Sequence, residues 1–297
     1  MKVGIYGQFY QEDSGENIQD LLHGLNKENI EVVIEKEFFE LLKQHTDISH
    51  QYLHFSTFEE LDKTYDLFFS IGGDGTILKT AWFIRDLGIP IVGINTGRLG
   101  FLATIHKSEI KKAIEGILHK KYTLVERSLL SVEGLSDNPE IGKDNFALNE
   151  IAVSRKNTAA MLTMTVWLDG EYLNAFWADG VILSTPTGST SYSLSCGGPV
   201  ILPKTDALVL TPIAPHNLNV RPLVIPDNIE VTMKVSGRED EYLVSMDARI
   251  TTVKKDTVLT IRKAPFKISL VQLHDSSFIK TLRKKLLWGE DKRNRKH

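Results

Sequence analysis

One cysteine, Cys196, stands alone in 297 residues. A single thiol excludes an intrachain disulfide framework and a zinc site built on cysteines, and it reads as a small packed residue. No apolar run approaches the ~20 residues of a membrane-spanning helix. The opening "MKVGIYG" passes at once into acidic, polar sequence, unlike a secretory signal, so the cytoplasm is the expected compartment. Charge of either sign is also scarce in excess: the formal net charge is -3. That balance gives no general attraction to nucleic acid or to acidic membranes, and neither is expected as a partner. The one basic concentration, "KTLRKKLLWGEDKRNRKH", reads as a solvated helix face followed by a frayed tail. Two common nucleotide signatures are missing as well. The chain has no G-x-x-x-x-G-K-[ST] loop and no good G-x-G-x-x-G after a strand.

What is present belongs to an ordinary globular protein, 42% hydrophobic and 25% charged, long enough for two cores. The first part alternates strand-like and helix-like segments. "KVGIYG", "IEVVIEK", "YDLFFSIGG" and "PIVGIN" read as strands; "NIQDLLHGLNKEN", "TILKTAWFIRDL" and "SEIKKAIEGILHKK" read as helices, with Ile18, Leu21, Leu22 and Leu25 on one face of the first. Such alternation predicts a parallel, Rossmann-like sheet that takes ligands at the C-terminal ends of its strands. "GGDG" and "NTGRLG" both fall at such ends. From about residue 122 the pattern changes to short, often alternating segments separated by Gly, Asn, Asp or Pro, which predicts an all-β, sandwich-like second domain. The expected boundaries are 1–122 for the α/β domain, completed by 274–297, and 123–273 for the β domain. Phe278, Leu282 and Leu286 lie four apart and predict a terminal helix that returns to the first domain.

Three stretches carry polar chemistry. "GGDGT" (72–76) follows an apolar strand and opens a helix, an arrangement that lets a backbone approach phosphate; a tight turn with Asp74 or Thr76 capping the helix explains it equally well. "LNEI" (148–151) places Asn149 and Glu150 in an apolar strand, where each needs a partner unless one of the two faces solvent. "FWADGVILSTPTGSTSYSLSCGGPVILP" supplies Asp179, Thr187, Ser189, Thr190, Ser191, Tyr192, Ser193 and Ser195, a mixture suited to a sugar, an amide and an adenine. It reads as a turn opening a short helix.

Together with "PHNLNVRPLVIP" (215–226) and the terminal "FIKTLRKKLLWG", these stretches resemble the NAD kinase family from the first strand to residue 289. The resemblance implies an N-terminal α/β domain, a C-terminal β domain and a site in the cleft between them. It implies transfer of the γ-phosphoryl of ATP to the adenosine 2′-hydroxyl of NAD, giving NADP, with Asp74 facing the attacking hydroxyl as base. Gly72, Gly73, Gly75 and Thr76 would receive ATP phosphate. Mg²⁺ would ride on the triphosphate without protein ligands. Asp74, Gly75, Lys79, Asn149, Glu150, Asp179 and Ala214 resemble residues that line the dinucleotide. Among these, Asn149 and Glu150 match the pair that holds ribose, and Asp179 matches the receiver of the nicotinamide amide. Thr190, Ser191, Tyr192, Ser193, Leu194 and Ser195 resemble the wall around adenine. A homodimer or homotetramer through the β domains is also implied.

The chain departs from the family pattern at Ser191 and Cys196, where alanine is usual, at Ala248 and Arg249 after Asp247, and at Trp177, where many bacterial relatives carry arginine. The last two bear on the choice between NAD and NADH. Two other readings compete. A lipid or sugar kinase of the same GGDGT superfamily would not use the Asn-Glu pair or the hydroxyl-rich segment, and a non-catalytic dinucleotide sensor would have no need of Asp74.

Overall fold

The computed structural model describes residues 1–8, 14–46, 48, 50–135, 145–157 and 161–288. The tail after Trp288, the end of the basic stretch, lies outside them. The chain divides into two units: Met1–Glu126 with the segment from Ile268 onward, and Arg127–Lys267.

In the first unit, β1 (Lys2–Gly7), α1 (Ser14–Lys27), β2 (Glu31–Glu35), α2 (Lys36–His45), β3 (Leu53–Phe55), β4 (Leu67–Gly72), α3 (Asp74–Ile84), β5 (Ile91–Asn95), β6 (Ile105–His106) and α4 (Ile110–Leu118) follow one another. The strands pair in parallel in the order β3-β2-β1-β4-β5. Every residue of β4, "LFFSIG", is buried, as expected of a strand with both faces covered. The apolar face of α1, Ile18, Leu21, Leu22 and Leu25, enters the same core as Val3, Ile5, Phe69 and Ile94. Strand order reverses between β1 and β4, and an open α/β sheet takes ligands at the C-terminal side of such a switch point. Gly72 ends β4 at that side.

The second unit is antiparallel. Its strands are β7 (Tyr122–Glu133), which begins in the first unit, β8 (Phe146–Ala147), β9 (Glu150–Arg155), β10 (Leu162–Leu168), β11 (Glu171–Ala178), β12 (Gly180–Ser184), β13 (Ala207–Ile213), β14 (Leu223–Pro226), β15 (Val231–Ser236), β16 (Glu241–Met246), β17 (Arg249–Lys254) and β18 (Val258–Leu273). One layer runs β14-β13-β12-β9-β16-β17; β11, β10, β15 and the first part of β18 form another. Alternate residues turn inward, such as Met164, Val166, Met233 and Val235 from one layer and Val153, Val181, Leu210 and Val244 from the other, and all meet in one core. Between β12 and β13 lie a 3₁₀ turn at Gly188–Thr190 and the one α-helix of this unit among the described residues, α5 (Tyr192–Ser195). The last part of β18 returns to the first unit, where Leu270 lies beside Ile91. It is followed there by α6 (Phe278–Leu286), with Leu282 buried. Among the described residues no helix is long and apolar enough to cross a membrane.

Candidate active site

The turn from β4 to α3 is built on glycine for two different reasons. Gly72 has φ 153°, and a Cβ there would lie 2.2 Å from Thr76 Oγ1; the backbone itself requires it. A Cβ on Gly73 or Gly75 would meet nothing within 4 Å. Packing does not demand glycine at these two positions. Gly73 is the N-cap of α3 and no side chain caps the helix start. Thr76 is buried, its Oγ1 3.4 Å from Gln8 Oε1, and Lys79 is exposed one turn further on.

Asp74, the first residue of α3, reaches away from its own helix. Its Oδ2 accepts the N–H of Phe101 at 2.7 Å, and its Oδ1 accepts those of Leu102 and Ala103, both at 2.9 Å. The capping role open to Asp74 from sequence is therefore not the one it plays. The loop it grips is held from below by the buried Asn95, whose Oδ1 accepts the Gly97 N–H and whose amide donates to Arg98 O. Gly100 is obligatory here, because a Cβ would sit 1.8 Å from Asp74 Oδ1.

A second aspartate does the same in the other unit. Asp247, in the left-handed region at φ 53°, accepts the N–H groups of Leu148 at 2.8 Å on Oδ2, and of Asn149 and Glu150 at 2.7 and 3.3 Å on Oδ1. From the other side Thr185 donates its hydroxyl to Leu148 O at 2.7 Å and its N–H to Asn149 O at 2.9 Å. A Cβ on Gly188 would meet Asn149 O at 2.1 Å. Asn149 and Glu150 are both buried. The alternation argument, which left one of them free to face solvent, fails because Asn149 precedes β9 and the Thr185–Gly188 turn closes over it.

Glu150 is the chemically unusual member. Ser191 Oγ donates to its Oε1 at 3.1 Å, while Oε2 is buried without a hydrogen-bond partner. Burial, and secondarily the neighbouring Asp247, push its carboxyl up to about 8. Loss of solvent also raises the Asp247 carboxyl, against the pull of its three N–H donors and of Arg249.

The rest of the hydroxyl-rich segment divides by direction. Tyr192 is exposed, and its phenol is raised by partial loss of solvent first, then by Cys196, Asp179 and Glu150. Ser193 turns into the core and shares a 2.8 Å hydrogen bond with Thr211, so its hydroxyl does not belong to an open wall. Thr190 donates to Thr187 O, Leu194 is half-buried and Ser195 exposed. Asp179 pairs with Arg155 at 3.0 Å. Its N–H donates to Ile213 O, next to Ala214 at φ 43°, and His216 N–H donates to Trp177 O. The Trp177 and His216 rings lie 4.3 Å apart.

Sequence reasoning passed over Gly100, Asn95, Thr185 and the gripping role of Asp247. The glycine pair in "NTGRLG" was the available sign of the first two; nothing local marks the others. Among the described residues no group of three or more His, Cys, Asp or Glu is placed to hold a metal ion.

Two family models match the chain: the ATP-NAD kinase N-terminal domain over residues 3–122 and the ATP-NAD kinase C-terminal domain over residues 148–273. A protein of Christiangramia forsetii named NAD kinase is 59% identical over 294 residues, spanning 99% of this chain and all of that one. A Bacteroides fragilis protein of the same name is 41% identical over 293 residues, with 99% and 100% covered. Among solved structures, an NAD kinase from Archaeoglobus fulgidus in complex with ATP superposes with a TM-score of 0.75 at 25% identity, covering 97% of this chain and 99% of that one. Yeast NADH kinase complexed with NADH shares the fold, with a TM-score of 0.83 at 24% identity over 98% and 88% of the two chains.

Proposed function

The chain belongs to the NAD kinase family, and on that premise we propose that it moves the γ-phosphoryl of ATP onto the adenosine 2′-hydroxyl of NAD, with Asp74 taking the hydroxyl proton. The observation that carries the residue assignment is the threefold grip on Asp74. An ionised carboxylate offers about four lone-pair sites, and three are taken by Phe101, Leu102 and Ala103. The remaining site, on Oδ2, is held in a fixed direction beside the glycine turn. A fixed acceptor is what phosphoryl transfer asks of a base, since positioning supplies most of the catalysis.

Phosphate approach gives Gly73 and Gly75 the reason that packing does not. The uncapped start of α3 attracts the anion, and the negative charge of Asp74 keeps the carboxylate for the hydroxyl. Mg²⁺ carried by the triphosphate would neutralise phosphate charge. In the second unit, Glu150 Oε2 is the free acceptor for a ribose hydroxyl, Tyr192 offers its face to adenine, and Asp179 with Ala214 receives the nicotinamide amide. Lys79 serves the dinucleotide as an exposed cation. We place the protein in the cytoplasm as a homodimer or homotetramer through its β unit, a mass that light scattering reads directly.

Purified protein given ATP, Mg²⁺ and NAD should produce NADP, detected with an NADP-specific dehydrogenase. Folded protein that yields no NADP, or that phosphorylates diacylglycerol instead, overturns the reading.

A further inference from the structure

The terminal helix α6 has no part in the chemistry described so far, yet it touches the loop that holds Asp74. The Phe278 ring lies 6.0 Å from the Phe101 ring at 37°, and Lys285 Nζ lies 5.7 Å from the same Phe101 ring. Phe101 is the residue whose N–H binds Asp74 Oδ2, the oxygen with the remaining lone pair. The helix is itself well anchored. Burial of Leu282 and Thr281 anchors it; Ser277 Oγ caps its own start by accepting the Lys280 N–H at 3.2 Å, and the exposed Asp275 just before it pairs with Lys112 of α4 at 2.5 Å.

We propose that Phe278 is a positioning residue for phosphoryl transfer: packed at a tilt against Phe101, it steadies the 101–103 backbone that aims the Asp74 carboxylate. This rests on Asp74 being the base. Asp74 meets the loop through hydrogen bonds to Phe101, Leu102 and Ala103, and Gly100, where a Cβ would collide with Asp74 Oδ1, brings no side chain of its own to hold that loop. A ring packed against Phe101 from a separate helix adds a side-chain contact at the residue whose N–H holds Asp74 Oδ2.

The test is a double-mutant cycle in the full-length protein, with kcat, KM for NAD and Tm measured for Phe278→Ala, Phe278→Leu and Phe278→Tyr, each in the wild-type and Asp74→Asn backgrounds. Misplacing the carboxylate in Phe278→Ala should lower kcat about tenfold with KM for NAD changed less than about threefold. Phe278→Leu, which keeps the apolar bulk and protects the fold, should show a smaller loss in the same parameter. Phe278→Tyr, which keeps the ring, should restore kcat to within about twofold of wild type. In the Asp74→Asn background Phe278→Ala should leave the residual rate within about twofold, because the group it positions is gone. Equal losses in both backgrounds, a kcat that follows Tm across the three variants, or no change in kcat overturns the proposal. Wild-type kcat in Asp74→Asn itself overturns the assignment of the base, which is a separate result.

Discussion

Asp74 and Asp247 use one device in two units: a carboxylate that accepts three consecutive backbone N–H groups. What differs is which side of the grip carries the chemistry. On the proposed assignment the gripping residue of the first unit is the reactive one, and Phe101–Ala103 serve to hold it. In the second unit Asp247 is the holder, and the gripped Asn149 and Glu150 are the proposed binding pair. On that reading the same hydrogen bonds aim a base in one place and shape a binding strand in the other. Substituting the two aspartates should fail in different observables.

The largest effect belongs to Asp74→Asn. It removes the base and sets an amide NH2 against at least one of the backbone N–H donors that the carboxylate accepts, so kcat should fall by ~10²–10⁴ with KM for NAD little changed. Steady-state kinetics at saturating ATP gives the answer, and a raised KM at full kcat would reverse the comparison. Next comes Asp247→Ala, which leaves three backbone donors without an acceptor. Stability should drop by about 3 kcal/mol, read as a Tm lowered by roughly 10 °C, and KM for NAD should rise while kcat of the folded fraction survives. A lost kcat with unchanged Tm would make Asp247 more than a holder.

Glu150 comes third, and its effect depends on pH. With the carboxyl raised to about 8, Glu150→Gln imitates the protonated form, so at pH 7 the change in KM should be small. At pH 9 the ionised wild type gains a charge-assisted hydrogen bond worth about 1.5–3 kcal/mol, and the variant's KM should exceed wild type by one to two decades, with kcat nearly intact. The same shift sets a stability slope. The folded state keeps a proton that the unfolded chain releases above its ordinary value of 4.5, so stability falls as pH climbs from 4.5 toward 8 and levels off above it. Denaturant titrations across that window should show a flatter profile for Glu150→Gln. Identical profiles would mean that Glu150 is ionised throughout.

The smallest effect concerns the nicotinamide end. Trp177, half exposed and stacked on His216, can lie against either redox form of the ring. The ratio of kcat/KM for NAD over NADH should stay under about a hundredfold, roughly 2.7 kcal/mol, and Trp177→Ala should move it only a few-fold. A larger ratio would locate discrimination elsewhere.

Much of the scaffold was legible because it is local. Full burial of "LFFSIG" follows from an unbroken apolar run, and the buried face of α1 follows from its 3.6-residue period. The strand-to-helix turn at GGDGT was readable from its glycines, and the short helix at Tyr192 from its crowd of small hydroxylated residues. The partners of these motifs were not readable. Leu102 lies 28 residues from Asp74, and Asp247 lies 98 residues from Asn149. Ser193 resembles its exposed neighbours in sequence, yet its hydroxyl faces Thr211 in the core.

The sequence by itself determined which elements form, that parallel and antiparallel architectures follow one another along the chain, and which few residues could carry phosphoryl transfer. Periodicity, turn chemistry and residue type are properties of neighbours along the chain, and short-range sterics and burial act on them directly. Tertiary structure alone decided which of those residues are held, by what, and in which state. The direction of Asp74, the burial of both Asn149 and Glu150, and the raised carboxyl of Glu150 all depend on backbone donors and apolar surroundings brought from distant segments. A hydrogen bond needs its partner within about 3 Å, and only the folded chain sets which distant groups come that close.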